Sequence, residues 1–224
     1  VKSMKKHLSK LLSFFLCMSF FVTISNKANA AEEIIPVNIS VQYGQTEART
    51  ILDMINEMRT SDYDAWCWDE TNTKKEVYRG DALTYDYDLE KLAMKRAAEL
   101  VIRYDHDRPN AEDFSSIYKE ENVTGWQAAG ENIAIGYHSA QAVNTAWRED
   151  GEDYNGQGHR RNMLNPKFNC VGIGHVKYDG CDYWVEEFAY RPSVNATETL
   201  ANDSQQTTAI SLIKSKIKNI ELCF

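Results

Sequence analysis

Val171-Gly172-Ile173-Gly174-His175-Val176-Lys177-Tyr178 is followed by Asp179-Gly180 and, after Cys181-Asp182, by Tyr183-Trp184-Val185-Glu186-Glu187-Phe188-Ala189. Two β-branched and aromatic runs around an Asp-Gly pair predict a β-hairpin, because that dipeptide accepts the left-handed backbone of a tight turn. Everything upstream of it with clear periodicity is helical. Ile51, Met54, Ile55 and Met58 fall at i, i+3, i+4 and i+7, one apolar stripe, with Thr46 as the expected N-cap. A second helix is predicted from about Leu89 to Arg103, capped by Asp86 or Asp88. Leu89, Leu92, Ala93, Arg96, Ala97 and Leu100 lie on its inner side. Ser139 heads a third helix to Asp150, and Gly158 to Leu164 forms a short one that Asn165-Pro166 stops. Helices first and an antiparallel hairpin late predict an α+β domain.

At the front, Lys5, Lys6 and Lys10 precede an apolar run from Leu11 to Ile24, and Ala28-Asn29-Ala30 offers a small-residue cleavage site. That layout predicts a secretory signal peptide over residues 1–30, since the run is shorter than the roughly 20 residues a spanning helix needs. No other stretch is apolar enough to predict a transmembrane segment. The 224 residues carry a formal charge of −8; removing residues 1–30, with five Lys and no acid, leaves −13. An acidic chain of this kind excludes nucleic acid as the main partner, because phosphate binding requires a basic face. Residues 31–45 read as an irregular lead, extended around Val37-Asn38-Ile39. Residues 46–192 read as the domain, and 193–224 as a polar linker and tail, with a lone strand as one reading of Ile210 onward.

Export permits disulfides among Cys67, Cys170, Cys181 and Cys223. The hairpin argues against a bridge between Cys170 and Cys181. One sits at the turn and the other at the far end, about 25 Å away at ~3.3 Å per residue, against the ~7 Å a disulfide tolerates.

Four dispersed positions attract chemical interest: His106 after the second helix, Glu131 in Gly130-Glu131-Asn132-Ile133-Ala134, Glu149 or Asp150 at the end of the third helix, and His159 in the short helix. No His-Glu-x-x-His, Gly-x-Ser-x-Gly or phosphate-binding glycine loop is present. His138 and His175 read as loop and strand residues.

The motifs carry more together than singly. Asn56-Glu57-Met58-Arg59, His106-Asp107-Arg108-Pro109, Gly130-Glu131-Asn132-Ile133-Ala134, Ala146-Trp147-Arg148-Glu149 and Gly158-His159-Arg160-Arg161-Asn162-Met163-Leu164 occur in order, with the Val171–Gly174 and Tyr183-Trp184 strands after them. This series resembles the CAP superfamily, the SCP domain of cysteine-rich secretory proteins, antigen 5 and plant pathogenesis-related proteins. Arg160-Arg161 after His159 resembles its bacterial branch rather than the sterol-binding eukaryotic one.

The resemblance implies a three-layer α-β-α sandwich in which two His and two acidic residues converge on a central cleft. By motif these are His106, Glu131 and His159, with Glu149 as the fourth and Asp150 as its alternative; the two point ~100° apart on a helix. His106 and His159 would be the metal ligands, zinc being the expected ion, with the carboxylates orienting the rings. The implied function is a secreted module binding a divalent metal, a small ligand or an extracellular protein. Two alternatives stand beside it: a metal-assisted hydrolase of the peptidase kind, with Glu131 or Glu149 activating water, and a structural cell-surface module working through its tail or Cys223.

Overall fold

The computed structural model describes residues 33–214; the expected signal peptide, residues 215–224 and Cys223 lie outside the described residues. In chain order the elements are β1 (Ile34–Tyr43), α1 (Gln45–Arg49), α2 (Ile51–Thr60), β2 (Trp66–Trp68), β3 (Lys75–Val77), β4 (Thr84–Tyr85), α3 (Tyr87–Ile102), α4 (Ser116–Glu120), β5 (Ala128–Ile135), α5 (Ala140–Arg148), α6 (Gly158–Leu164), β6 (Cys170–Tyr178), β7 (Cys181–Tyr190) and β8 (Gln205–Ile213).

The hairpin is the spine of the fold. β6 and β7 pair from Cys170↔Ala189 to Tyr178↔Cys181. Both turn residues have positive φ, Asp179 at 48° and Gly180 at 80°, the backbone of a two-residue turn that matches strand twist. The register sets Cys170 and Cys181 at opposite ends of the ladder, so no bridge joins them. β5 adds to β7 and forms one edge, giving the order β5-β7-β6-β1-β8, while β4 runs parallel to the start of β6.

Strand alternation divides the sheet into two faces. Val171 and Ile173 of β6 and Trp184 and Phe188 of β7 pack against Ala48, Ile51, Ile55 and Met58 of α1–α2, Val143 and Trp147 of α5, and Met163 and Leu164 of α6. The opposite face presents Val176, Tyr183 and Val185 to Ala93, Ala97 and Leu100 of α3. The result is the α-β-α sandwich. Gly172 and Gly174 let α3 approach closely: a Cβ on Gly172 would lie 2.1 Å from the Glu90 nitrogen, and one on Gly174 2.2 Å from the Ala93 carbonyl oxygen.

Several boundaries differ from the sequence reading. The first helix is broken at Thr50 into α1 and α2, and Thr46 does not cap it; its hydroxyl donates to Asp203 instead. α3 is capped by Asp86, whose carboxylate accepts from the Asp88 and Leu89 N–H groups. The third helix stops at Arg148, two residues early. The expected lead and tail supply β1 and β8, paired from Ile34↔Ile213 to Gln42↔Gln205. Residues 205–213 are therefore sheet rather than linker.

Candidate functional site

α3 places Arg96 on its inner face, fully buried, where the apolar stripe would otherwise carry an aliphatic residue. The guanidinium is neutralised there. Arg96 Nε donates to Glu131 Oε2 at 2.7 Å, Nη2 to Oε1 at 3.2 Å, and Nη1 to Glu99 Oε2 at 2.8 Å. Nη2 also donates to the Asp105 carbonyl at 3.0 Å, which holds the loop after α3. That loop presents His106, whose Nδ1 lies 2.8 Å from Glu131 Oε1. Glu131 is wholly buried while the His106 side chain is 57% exposed. The ring thus faces outward from a carboxylate anchored in the core. The hydrogen bond to Glu131 raises the His106 pKa, against an opposing contribution from burial.

Glu131 faces Glu187 across the β5–β7 ladder. Arg108 pairs with Glu99 on the same side, so the buried guanidiniums of Arg96 and Arg108 balance Glu99 and Glu131. Among the described residues no ion pair reaches Glu187. Burial, with the neighbouring Glu131 charge, pushes its carboxyl well above the usual range, and Tyr118 donates to its Oε2 at 3.2 Å.

The second pair forms where α5 meets α6. Glu149 ends α5 in the left-handed region, φ 47°. This conformation is costly for a residue with a Cβ. Its carboxylate accepts from His159 Nδ1 at 2.5 Å, the His159 N–H at 3.0 Å and the Arg160 N–H at 3.2 Å. Glu149 therefore both closes the first turn of α6 and fixes the imidazole. Asp150 does neither: it pairs with Arg148 at 3.0 Å and Arg160 at 2.5 Å. A cavity of about 500 Å³ opens beside this pair, lined by Tyr104, Ile133, Tyr137, Trp147, Glu149 and His159 among others. His106 and Glu131 are not in that lining.

Adjacent residues of edge strand β5 hold the two pairs. Glu131 points to the α3 face and holds His106. Asn132 points to the α5–α6 face, where its Nδ2 donates to the His159 carbonyl at 3.2 Å. Asn162 donates to the Glu131 carbonyl at 3.2 Å and to Asn132 Oδ1 at 2.9 Å. Both rings use Nδ1 toward a carboxylate, which leaves Nε2 as the donor each can offer an ion. Among the described residues, no group of three or more His, Cys, Asp and Glu side chains is placed to hold a metal ion.

Sequence reasoning overlooked the supporting residues. Arg96 was signalled by a charge on an apolar stripe. Glu186-Glu187 was signalled by consecutive acids inside a strand buried on both faces, where each must enter one core. A third His–carboxylate group braces the hairpin end: His175, stacked on Trp184 at 3.5 Å, places Nε2 2.7 Å from Asp182 Oδ1, and His138 Nδ1 lies 2.7 Å from Oδ2.

Residues 52–188 match the family model described as the cysteine-rich secretory protein family, CAP. The uncharacterized protein YkwD of Bacillus subtilis (strain 168) is 29% identical over 120 residues, 53% of this chain and 43% of that protein. An extracellular protein containing a SCP domain from Bacillus anthracis str. Ames superposes with a TM-score of 0.49 at 23% identity, over 65% of this chain and 41% of that one. NaASP2 with Zn2+ gives a TM-score of 0.47 at 17% identity, over 74% and 88%. The chain thus spans less than half the length of the two bacterial proteins.

Proposed function

The chain belongs to the cysteine-rich secretory protein (CAP) family, and on that premise we propose that it works outside the cell as a binding module whose His106 and His159 hold a divalent metal ion such as zinc beside a ligand cleft. The signal-peptide pattern of residues 1–30 supports export. No described helix is long and apolar enough to cross a membrane.

One observation carries the metal reading. Each imidazole gives Nδ1 to a carboxylate that is itself held, Glu131 by Arg96 and Glu149 by two backbone N–H groups. A carboxylate at Nδ1 selects the tautomer whose Nε2 lone pair points away, the form a metal requires. When bound, the ion would supply a Lewis acid with open positions for a ligand in the adjoining cavity. Glu131 and Glu149 orient the rings, Tyr104 and Tyr137 border the cavity, and Trp147 closes its inner wall.

The same hydrogen bonds assign both carboxylates a positioning role: each oxygen of Glu131 and of Glu149 meets Arg96, an imidazole or a backbone N–H. Calorimetric zinc titration with elemental analysis tests the proposal, comparing the mature protein with His106→Ala/His159→Ala. Micromolar binding that disappears in the double variant is the expected result. Equal uptake by both proteins, or none by either, would overturn the metal reading.

A further inference from the structure

Glu186 lies on β7 between Trp184 and Phe188, on the sheet face that α5 and α6 cover, and it is fully buried. Its cross-strand partners are Asn132 in β5 and Ile173 in β6. Asn132 Nδ2 donates to Glu186 Oε2 at 2.8 Å, while Oε1 has no hydrogen-bond partner among the described residues. No described ion pair reaches it either. An acid in this position contributes nothing to the core by packing that a Leu or Met would not contribute better. What distinguishes it is the amide it holds.

Asn132 is itself fully buried, and the amide nitrogen that meets Glu186 also donates to the His159 carbonyl at 3.2 Å. Its Oδ1 accepts from Asn162, one turn further along α6. We propose that Glu186 is a positioning residue for His159, acting through the side-chain amide of Asn132 to fix the first turn of α6. This rests on the reading of His159 as a cleft residue. The logic is one of orientation. An Asn amide can flip, exchanging its oxygen and nitrogen, and a flipped Asn132 would set its oxygen against the His159 carbonyl. The Glu186 oxygen that accepts the Asn132 N–H and the Asn162 N–H that donates to Asn132 Oδ1 together oppose that flip. Burial pushes the Glu186 carboxyl up to about 8, so the group stands uncharged at neutral pH and resembles an amide in shape.

The experiment compares Glu186→Gln with Glu186→Leu in the mature protein, following both imidazoles by NMR without metal and then titrating zinc. Gln keeps an acceptor oxygen and is expected to leave the His159 ring signals and the zinc affinity as in wild type. Leu removes the acceptor. It is expected to shift the His159 signals alone, with His106 as internal control, and to weaken zinc binding by about ten-fold. Should the Leu variant fail to fold, Glu186→Met, unbranched and close to Glu in length but without an acceptor oxygen, is expected to give the same His159-specific change. Identical His159 signals across wild type, Gln and Leu would overturn the proposal, as would equal shifts of both rings. If zinc binds none of the proteins, the metal reading falls while the ring signals still decide the role of Glu186.

Discussion

Glu131 meets an imidazole on one oxygen and a guanidinium on both, inside the core, and this arrangement sets the behaviour of His106. Replacing it by Gln removes the charge that favours imidazolium and leaves Arg96 beside the ring. Glu131→Gln is therefore expected to lower the His106 pKa, read from the ring proton shifts across a pH titration; an unchanged titration would refute it. In linkage terms, the raised His106 pKa stabilises the fold fully below the unfolded value, and that contribution is lost as pH rises through the folded value. Glu186 follows the same sign for a different reason. Its carboxyl titrates near 8 when folded, against about 4.3 when unfolded, so the folded state holds an extra proton between those values. Wild-type stability should fall with pH over that window by up to about 1.4 kcal/mol per unit from this group. Glu186→Gln should lose that slope, which urea denaturation at pH 5 and pH 8 would measure. Identical slopes would show that Glu186 is not neutral in the fold. At this scale the motifs name His106, Glu131, Glu149 and His159, with Glu149 preferred to Asp150, and the structure pairs His106 with Glu131 and His159 with Glu149. The roles of Asn132 and Glu186 escaped because they lie in a pair across strands, which no local spacing encodes; Arg96 showed on the inner side of its helix, but its partner Glu131 is 35 residues away.

Among the elements, α3 and β6 meet backbone to backbone. The helix offers Leu89 and Ala93 to a strand whose facing residues are Gly172, Gly174 and Val176, so the backbones meet where a side chain would stand. Gly174→Ala would drive a methyl group into the Ala93 carbonyl. It is expected to destabilise by about 3 kcal/mol or more, by urea denaturation, whereas Gly151→Ala, with nothing within 4 Å of the new Cβ, should cost about 1 kcal/mol or less. Comparable losses for the two would contradict the close-approach argument. Helices with a clean apolar stripe and a capping Asp or Ser were legible in the sequence: the inner side of α3 is buried as the spacing requires, and Ser139 accepts from the Ala142 N–H at the head of α5. The hairpin was legible from Asp179-Gly180. β5 was not, because Gly130-Glu131-Asn132 places polar residues on both faces of a strand and erases the alternation that would reveal it. Nor was the break at Thr50, since α1 and α2 continue one apolar face.

The whole molecule extends the sheet beyond the region that matches the family. Residues 52–188 match it, while β1 and β8 lie outside those bounds and pair along nine positions at the sheet edge opposite β5. The chain between β7 and β8 is tied back as well: Asp203 accepts from the Thr46 N–H and hydroxyl, and the Asn202 carbonyl accepts from the Gln45 N–H. The N-terminus of α1, and through it the helical layer around Trp147, is thus fastened by residues that composition marks as a linker. Hydrophobic burial makes this fastening a matter of stability. Ile210 is fully buried and Leu212 nearly so, within the core beneath α3. Burial of such side chains contributes about 1.5–3 kcal/mol each, a large share of a typical net stability of about 5–15 kcal/mol. Ile210→Ala is therefore expected to cost about 2–4 kcal/mol, and Gln206→Ala, exposed on the same strand, less than about 0.5 kcal/mol. A chain ending at Arg191 should lose cooperative unfolding, because β1 would lose its nine-position ladder to β8 and keep only the two-residue pairing with β6. Denaturation curves of the three proteins decide the matter: a wild-type midpoint for Ile210→Ala, or a cooperative transition in the shortened chain, would mean that the domain stands without its outer strands.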